Sequence, residues 1–297
     1  MKILILMRSS ILTKCGGAEV QAEFIRQACV NAGHEVHFAF DKREETDIDI
    51  NIDDDSTHYH LLPDRGRLRS YLNYFELNQL IQKIRPDMIY QRVRFSYTGV
   101  AAYLAKRYGV RFVHNISADY ACRKNRVPLD KKFISSFITE QLGRYGIKHA
   151  DLLIAQTTLQ AKLLKKNFGL DSIVVPNGHP FPEGPFKKIH PPVVAWVANI
   201  KPWKQPEIFI ELARRLGDTN ARFVLAGRPA MGSYQERILR LIDATPNVEY
   251  KGQLSLDEVN SLLSQASVFV NTSEPREGFP NFHSSMDETG ACGYIEL

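Results

Sequence analysis

The feature that most constrains this chain is the order of its first forty residues. Ile3-Leu4-Ile5-Leu6-Met7 is an unbroken apolar run between polar flanks. A strand buried on both faces of a parallel sheet reads this way. A loop follows and ends in Gly16-Gly17. Ala18 to Ala32 then sets Val20, Phe24, Ile25, Ala28 and Cys29 on one helical face, and Gly33 stops the helix. His34 to Phe40 is again strand-like. Strand, helix and strand in this order predict a βαβ unit with a right-handed crossover, hence a parallel sheet covered by helices.

The alternation recurs along the chain. Residues 41–64 are acidic and read as irregular. Asp53-Asp54-Asp55 lacks the glycine and terminal glutamate of a calcium loop and reads as a solvated run. Helices are expected at 68–84, 97–108, 133–149 and 158–168, and strands at 88–90, 111–115, 151–156 and 173–175. Residues 179–192 hold five prolines and read as a linker that permits closure. Strands are then expected at 193–197, 222–226, 248–251 and 267–271, with helices at 206–216, 234–244 and 257–265. The fold class is therefore α/β, with two doubly wound Rossmann-like domains, 1–178 and 193–297, on either side of the linker 179–192. A length of 297 residues gives each domain enough chain for its own core.

Charge and cysteine usage narrow the partners. The formal net charge is +5, with no block of lysine and arginine. That argues against nucleic acid and suits an anionic small molecule or a weak contact with a membrane surface. Cys15, Cys29, Cys122 and Cys292 form no CxxC pair and have no metal-ligand spacing with histidine. They read as reduced thiols of a cytoplasmic protein. The run 3–7 is too short for a signal sequence or a membrane span.

Candidate chemistry gathers at strand ends. Gly16-Gly17 opens a helix, where the backbone can approach an anion, although a tight turn needs the same residues. It lacks the full GxGxxG fingerprint of a nicotinamide site. Lys201-Pro202-Trp203-Lys204 follows the first strand of the second domain, and its two cations could neutralise a diphosphate leaving group. Trp203 is either core or a cover for the site. Gly227-Arg228 and Gly252 close two further strands; Arg228 could meet phosphate or ribose, or simply turn the chain with Pro229. Ser273 to Asn281 brings Glu274, Arg276, Glu277 and Gly278 into one loop, where a carboxylate can accept both vicinal hydroxyls of a sugar.

In this order the motifs resemble family 4 retaining glycosyltransferases of GT-B fold. The matching pieces are Gly16-Gly17-Ala18-Glu19, Ala150-Asp151 leading to Thr157-Thr158, Val175-Pro176-Asn177-Gly178, Lys204, Gly227-Arg228 and Glu277-Gly278-Phe279-Pro280-Asn281. The resemblance covers residues 1 to 281. It implies a nucleotide-sugar donor bound by the second domain and a glycan or lipid-linked acceptor bound by the first, in polysaccharide assembly at the cytoplasmic face of the inner membrane. Lys204 and Glu277 would act in catalysis. Gly16, Gly17, Lys201, Gly227, Arg228, Gly252, Gly278, Phe279 and Pro280 would line the donor site with them. His114 or Asp119 would contact the donor sugar or the acceptor, a structural role being equally open. No cofactor and no metal are implied, and no enzymic nucleophile: the acceptor attacks on the face the leaving phosphate departs from.

The sequence departs from the family in two motif positions. Asn199 stands where the family has an arginine, with Lys201 as a substitute, and Ser285 stands where it has the second glutamate of Glu-x7-Glu. These departures keep a non-catalytic nucleotide-sugar-binding protein of the same fold as an alternative; a sugar-nucleotide epimerase would need an acidic set that is not evident. From Phe282 the family's next helix and Pro-Val-Val strand do not appear. A one-nucleotide shift forces a tryptophan codon across Met286-Asp287. With permitted neighbouring codons, the shifted frame from Ser284 reads Gln-Ala-Trp-Met-Arg-Arg-Val-Pro-Val-Val-Thr. The expectation is a frameshifted, C-terminally truncated chain with impaired activity.

Overall fold

A computed structural model describes residues 1–12, 16–42, 56–66, 70–123, 133–178, 189–229, 232–274 and 293–296. They fall into two compact units, the first ending at Gly178 and the second holding the described residues from Ile189 onward.

In the first unit, β1 (Lys2–Leu6), α1 (Gly17–Asn31), β2 (Glu35–Lys42) and β3 (Thr57–Pro63) lead to α2 (Tyr74–Ile84), which a 3-10 turn at Ser70–Asn73 precedes. Then come β4 (Met88–Arg92), α3 (Ser96–Tyr108), β5 (Arg111–Asn115), α4 (Phe133–Lys148), β6 (Leu152–Ala155), α5 (Thr158–Phe168) and β7 (Ile173–Val174). The strands pair in parallel in the order β3-β2-β1-β4-β5-β6-β7. The apolar run of β1 serves both faces. Ile3, Ile5 and Met7 pack with Phe38, Phe40 and Ala22 of α1, while Leu4 and Leu6 pack with Leu77, Ile81 and Leu104. Each such buried side chain contributes roughly 1.5–3 kcal/mol.

The second unit runs β8 (Val193–Val197), α6 (Pro206–Arg215), β9 (Arg222–Ala226), α7 (Ser233–Asp243), β10 (Val248–Tyr250), α8 (Leu256–Gln265), β11 (Val268–Asn271) and β12 (Gly293–Glu296). The order is β10-β9-β8-β11-β12, again parallel. Trp196, Phe209, Phe223 and Ile238 fill one side of this sheet, and Val193, Ala195, Val224 and Phe269 the other. Both units are doubly wound α/β, the fold class expected from the sequence.

Two elements differ from the sequence reading. Residues 57–63, read as irregular, form an edge strand in register with β2, Val36 opposite Thr57 and Phe38 opposite Tyr59. Its alternation of His58 and His60 with Tyr59 and Leu61 is the period of a half-buried strand. The tail, to which no element was assigned, supplies β12, with Val268 opposite Gly293 and Val270 opposite Ile295. Asp53-Asp54-Asp55 and linker residues 179–188 lie outside the described residues. Ile189, at the end of the linker, packs on the core of the second unit. No described helix is long and apolar enough to cross a membrane.

Candidate functional site

In the second unit the strand order reverses at β8: β9 and β10 extend to one side of it, β11 to the other. Open α/β sheets bind ligands outside the carboxyl ends of the strands at such a switch point. Here the segment after β8 carries Lys201 and Lys204, and the one after β11 carries Thr272 and Glu274. Four hydrogen bonds order these segments. Trp196 Nε1 donates to Thr272 Oγ1 at 2.9 Å, and Thr272 Oγ1 donates to the Lys204 carbonyl at 2.6 Å. The Glu274 amide donates to the Trp203 carbonyl at 2.9 Å, and the Lys204 amide to the Lys201 carbonyl at 2.9 Å. A buried indole in the sheet thus fixes the loop that carries both cations. Lys204 ends a 3-10 turn (Pro202–Lys204) directly ahead of Pro206, the first residue of α6, so its charge adds to a helix N-terminus. Trp203 is exposed rather than core, and Lys201 Nζ lies 5.0 Å from its ring centroid.

The neighbouring strand ends are joined through backbone. Gly227 has φ 156°, and a Cβ there would overlap the Ala198 carbonyl oxygen. Only glycine fits, because the chain after β9 lies against the chain after β8. The Gly227 amide donates to the Gly252 carbonyl at 2.7 Å, Tyr250 Oη donates to the Gly227 carbonyl at 2.9 Å, and the Ile200 amide donates to the Arg228 carbonyl at 2.9 Å. The structure therefore brings Lys201, Lys204, Gly227, Arg228 and Gly252 to one edge of one sheet. Arg228 is exposed there. Glu277, Gly278, Phe279 and Pro280 lie outside the described residues.

The first unit also reverses, at β1, but among the described residues polar groups at its carboxyl edge bond to one another. Glu19, in the first turn of α1, accepts from Ser9 Oγ at 2.6 Å, and its carboxylate occupies the space a side chain at Gly16 would need. Gly16 and Gly17 thus begin a helix whose first turn already holds an anion. A chain of buried amides follows. Arg92 Nη2 donates to Asn177 Oδ1 at 2.7 Å, Asn177 Nδ2 to Gln156 Oε1 at 3.4 Å, and Gln160 Nε2 to Asp119 Oδ1 at 3.1 Å. Gln21 Nε2 donates to the Gly178 carbonyl at 2.6 Å, tying α1 to the end of the unit.

Asp119 is therefore a buried acceptor that holds α5. His114, at the end of β5, is fully buried, and neither ring nitrogen has a hydrogen-bond partner among the described residues. Burial and then the charge of Arg94 push its pKa down to about 3 against the Gln91 backbone, with a smaller push from Arg92. Neither side chain, as placed, is open to a ligand arriving from solvent. Asn177 belongs to a motif quoted from the sequence, but Arg92, Gln156 and Gln160 were not singled out there. Arg92 and Gln156 had only their place at the end of a strand's apolar run as a signal, and Gln160 only its place in the first turn of the next helix.

The family models agree with the geometry. Residues 15–180 match "Glycosyltransferase Family 4" and residues 191–286 match "Glycosyl transferases group 1". A sequence search finds no matching curated protein. Solved structures with this fold include HepE of Anabaena in complex with UDP and glucose (TM-score 0.68, 17% identity), which covers 100% of this chain and 80% of its own. The catalytic domain of starch synthase IV from Arabidopsis thaliana, bound to ADP and acarbose, gives a TM-score of 0.69 at 12% identity, covering 96% of this chain and 80% of its own. The UDP-GlcNAc 2-epimerase of Methanocaldococcus jannaschii gives 0.58 at 10%, covering 100% of this chain and 88% of its own. These identities establish shared fold alone, whereas the first family model spans more than half the chain, so the chain belongs to Glycosyltransferase Family 4 and is a sugar-transferring enzyme by family.

Proposed function

We propose that the chain transfers a sugar from a nucleotide-sugar donor to a glycan or lipid-linked acceptor, with retention at the anomeric carbon and without a metal. The observation that carries this reading is the convergence of Lys201, Lys204 and Arg228 on the switch-point edge of the second unit. A nucleoside diphosphate leaving group gains negative charge as the glycosidic bond breaks. Fixed cations beside a helix N-terminus stabilise that charge more in the transition state than in the ground state. Gly252 leaves open space beside its backbone among the described residues, where a base or ribose can approach. Glu277 would hold the sugar hydroxyls. HepE and starch synthase IV, which share the fold, were solved with UDP and with ADP, and so support a nucleotide ligand at this fold. The acceptor falls to the first unit, in keeping with a cytoplasmic enzyme working beside the membrane.

Nucleotide release from a panel of UDP-, GDP- and ADP-sugars, in the presence of a lipid or glycan acceptor extract, tests the proposal. Acceptor-dependent release from one donor class is expected. Tight donor binding without release would instead support the binding-protein reading, which rests on Asn199 in place of the family's arginine and Ser285 in place of its second glutamate.

A further inference from the structure

The outer strands of the first sheet carry a side-chain cluster that sugar transfer does not use. Glu35 and His37 alternate along β2, and His58 and His60 along β3. The parallel register sets His37 opposite His58 and Ala39 opposite His60. With a period of two, the four side chains stand on one face of the sheet. His37 is central: its Nε2 lies 2.9 Å from Glu35 Oε1 and its Nδ1 lies 3.0 Å from His60 Nε2. The His37 and His58 rings are 4.9 Å apart between centroids. One ligand atom each from Glu35, His37 and His58 lie within 4.8 Å of one another.

We propose that Glu35, His37 and His58 bind one divalent transition-metal ion of the zinc class, which staples the edge strand β3 to β2. The ring tautomers follow. Without the ion the Glu35 carboxylate can only accept, so His37 Nε2–H donates to it. Binding moves that proton to Nδ1, which then donates to His60 Nε2 and leaves the Nε2 lone pair for the ion; a ligating histidine held through its other nitrogen is the usual arrangement. A tetrahedral ion with bonds of about 2.0–2.1 Å to nitrogen and oxygen spaces its ligand atoms roughly 3.3 Å apart. Glu35 and His37 therefore need to part by only a few tenths of an ångström. His58 supplies the third ligand and water the fourth. Two imidazoles and one carboxylate suit zinc, nickel or copper, whereas calcium and magnesium take oxygen.

Access and competition also fit. The His37 side chain is nearly buried, and as a ligand its ring must be neutral. Glu35 is over one-third exposed and opens the site to solvent. Lys2 Nζ, 3.2 Å from the same carboxylate oxygen, is the competing cation; it is half exposed, and such a surface pair is weak. Glu35 is the first residue of β2, so the cluster sits toward the amino end of the strands, away from the carboxyl edge where ligands bind. The ion is structural, and metal-free transfer is untouched. Among the described residues β3 has only β2 as a strand neighbour, so a ligand bridging the two stabilises the folded unit by linkage.

The full-length chain, stripped with a chelator, is titrated with Zn2+ alone and with Co2+ as a spectroscopic stand-in. One equivalent should bind, with the visible bands of a tetrahedral cobalt site and a raised melting temperature that chelator reverses. His58→Asn and Glu35→Gln, both at partly exposed positions, should each weaken binding at least ten-fold and abolish the cobalt bands. His60→Asn should weaken it roughly ten- to hundred-fold through the tautomer. His149→Gln, elsewhere in the same unit, should leave binding unchanged. Melting in chelator confirms that each variant folds. Absence of one-equivalent binding overturns the proposal, as do an affinity and spectrum unchanged by both His58→Asn and Glu35→Gln.

Discussion

The two carboxyl edges of this protein share a topology and are finished in opposite ways. In the first unit the strand ends close over their own polar groups: Ser9 on Glu19, Arg92 on Asn177, Gln160 on Asp119. In the second, the strand ends are joined by backbone hydrogen bonds around Gly227 and Gly252, and the side chains that project are Lys201, Lys204 and Arg228. The difference teaches where charge can be received. An edge whose first helix turns its carboxylate back onto the strand ends, as Glu19 does onto Ser9, leaves little there for a second anion, whereas an edge that projects cations from a hydrogen-bonded loop favours one.

The largest expected effect is on the second edge. Lys204→Ala should remove about 2–4 kcal/mol of transition-state stabilisation, roughly thirty- to thousand-fold in kcat/KM. Steady-state kinetics check it, and an unchanged rate would remove the distinction between the edges. Next is the rigidity of the first unit. Arg94 pairs with Glu140 at 3.1 and 3.3 Å, both buried. Arg94→Ala should destabilise that unit by about 3 kcal/mol. The low end of the range applies because Arg144 still bonds Glu140 at 2.8 Å. Denaturant unfolding measures it. Gly227→Ala should cost about 1–3 kcal/mol in the second unit, and should weaken nucleotide binding as the two loops separate.

The smallest effect is on pH dependence, and two groups of the first unit oppose one another. Burial raises the Asp41 carboxyl from 3.8 to about 6, outweighing the hydrogen bond from Tyr97 and the charge of Arg8. Between these values the native state keeps a proton that the unfolded chain has released, so acidification through that window stabilises. His114 behaves oppositely. Between 6.5 and about 3 the unfolded chain takes up a proton that the native state refuses, so acidification destabilises. Melting curves from pH 7 to 4 should fall more steeply in Asp41→Asn and less steeply in His114→Gln.

Much of this was legible in the sequence. Unbroken apolar runs such as Ile3–Met7 and the glycines and prolines that end them located the buried strands, because burial on both faces leaves no other pattern. Lys201, Lys204 and Gly227 were legible because a doubly wound sheet puts strand ends at one edge. β3 was not, since Thr57-His58-Tyr59-His60 is polar and its partner lies across residues 43–56 in sequence; the Glu35-His37-His58 cluster was lost with it. The amide chain from Arg92 to Asp119 was hidden as well. It joins β4, β6 and α5 across more than eighty residues, and only the strand order brings them together.

The most direct test of the central claim, that the second unit's edge receives the donor diphosphate, is calorimetric titration of UDP, GDP and ADP into the full-length chain and into Lys204→Ala. The account predicts binding of at least one nucleotide, weakened ten-fold or more by Lys204→Ala and left intact by Glu35→Gln. Binding of equal strength in Lys204→Ala, or no binding of any of the three by the unaltered chain, would contradict it.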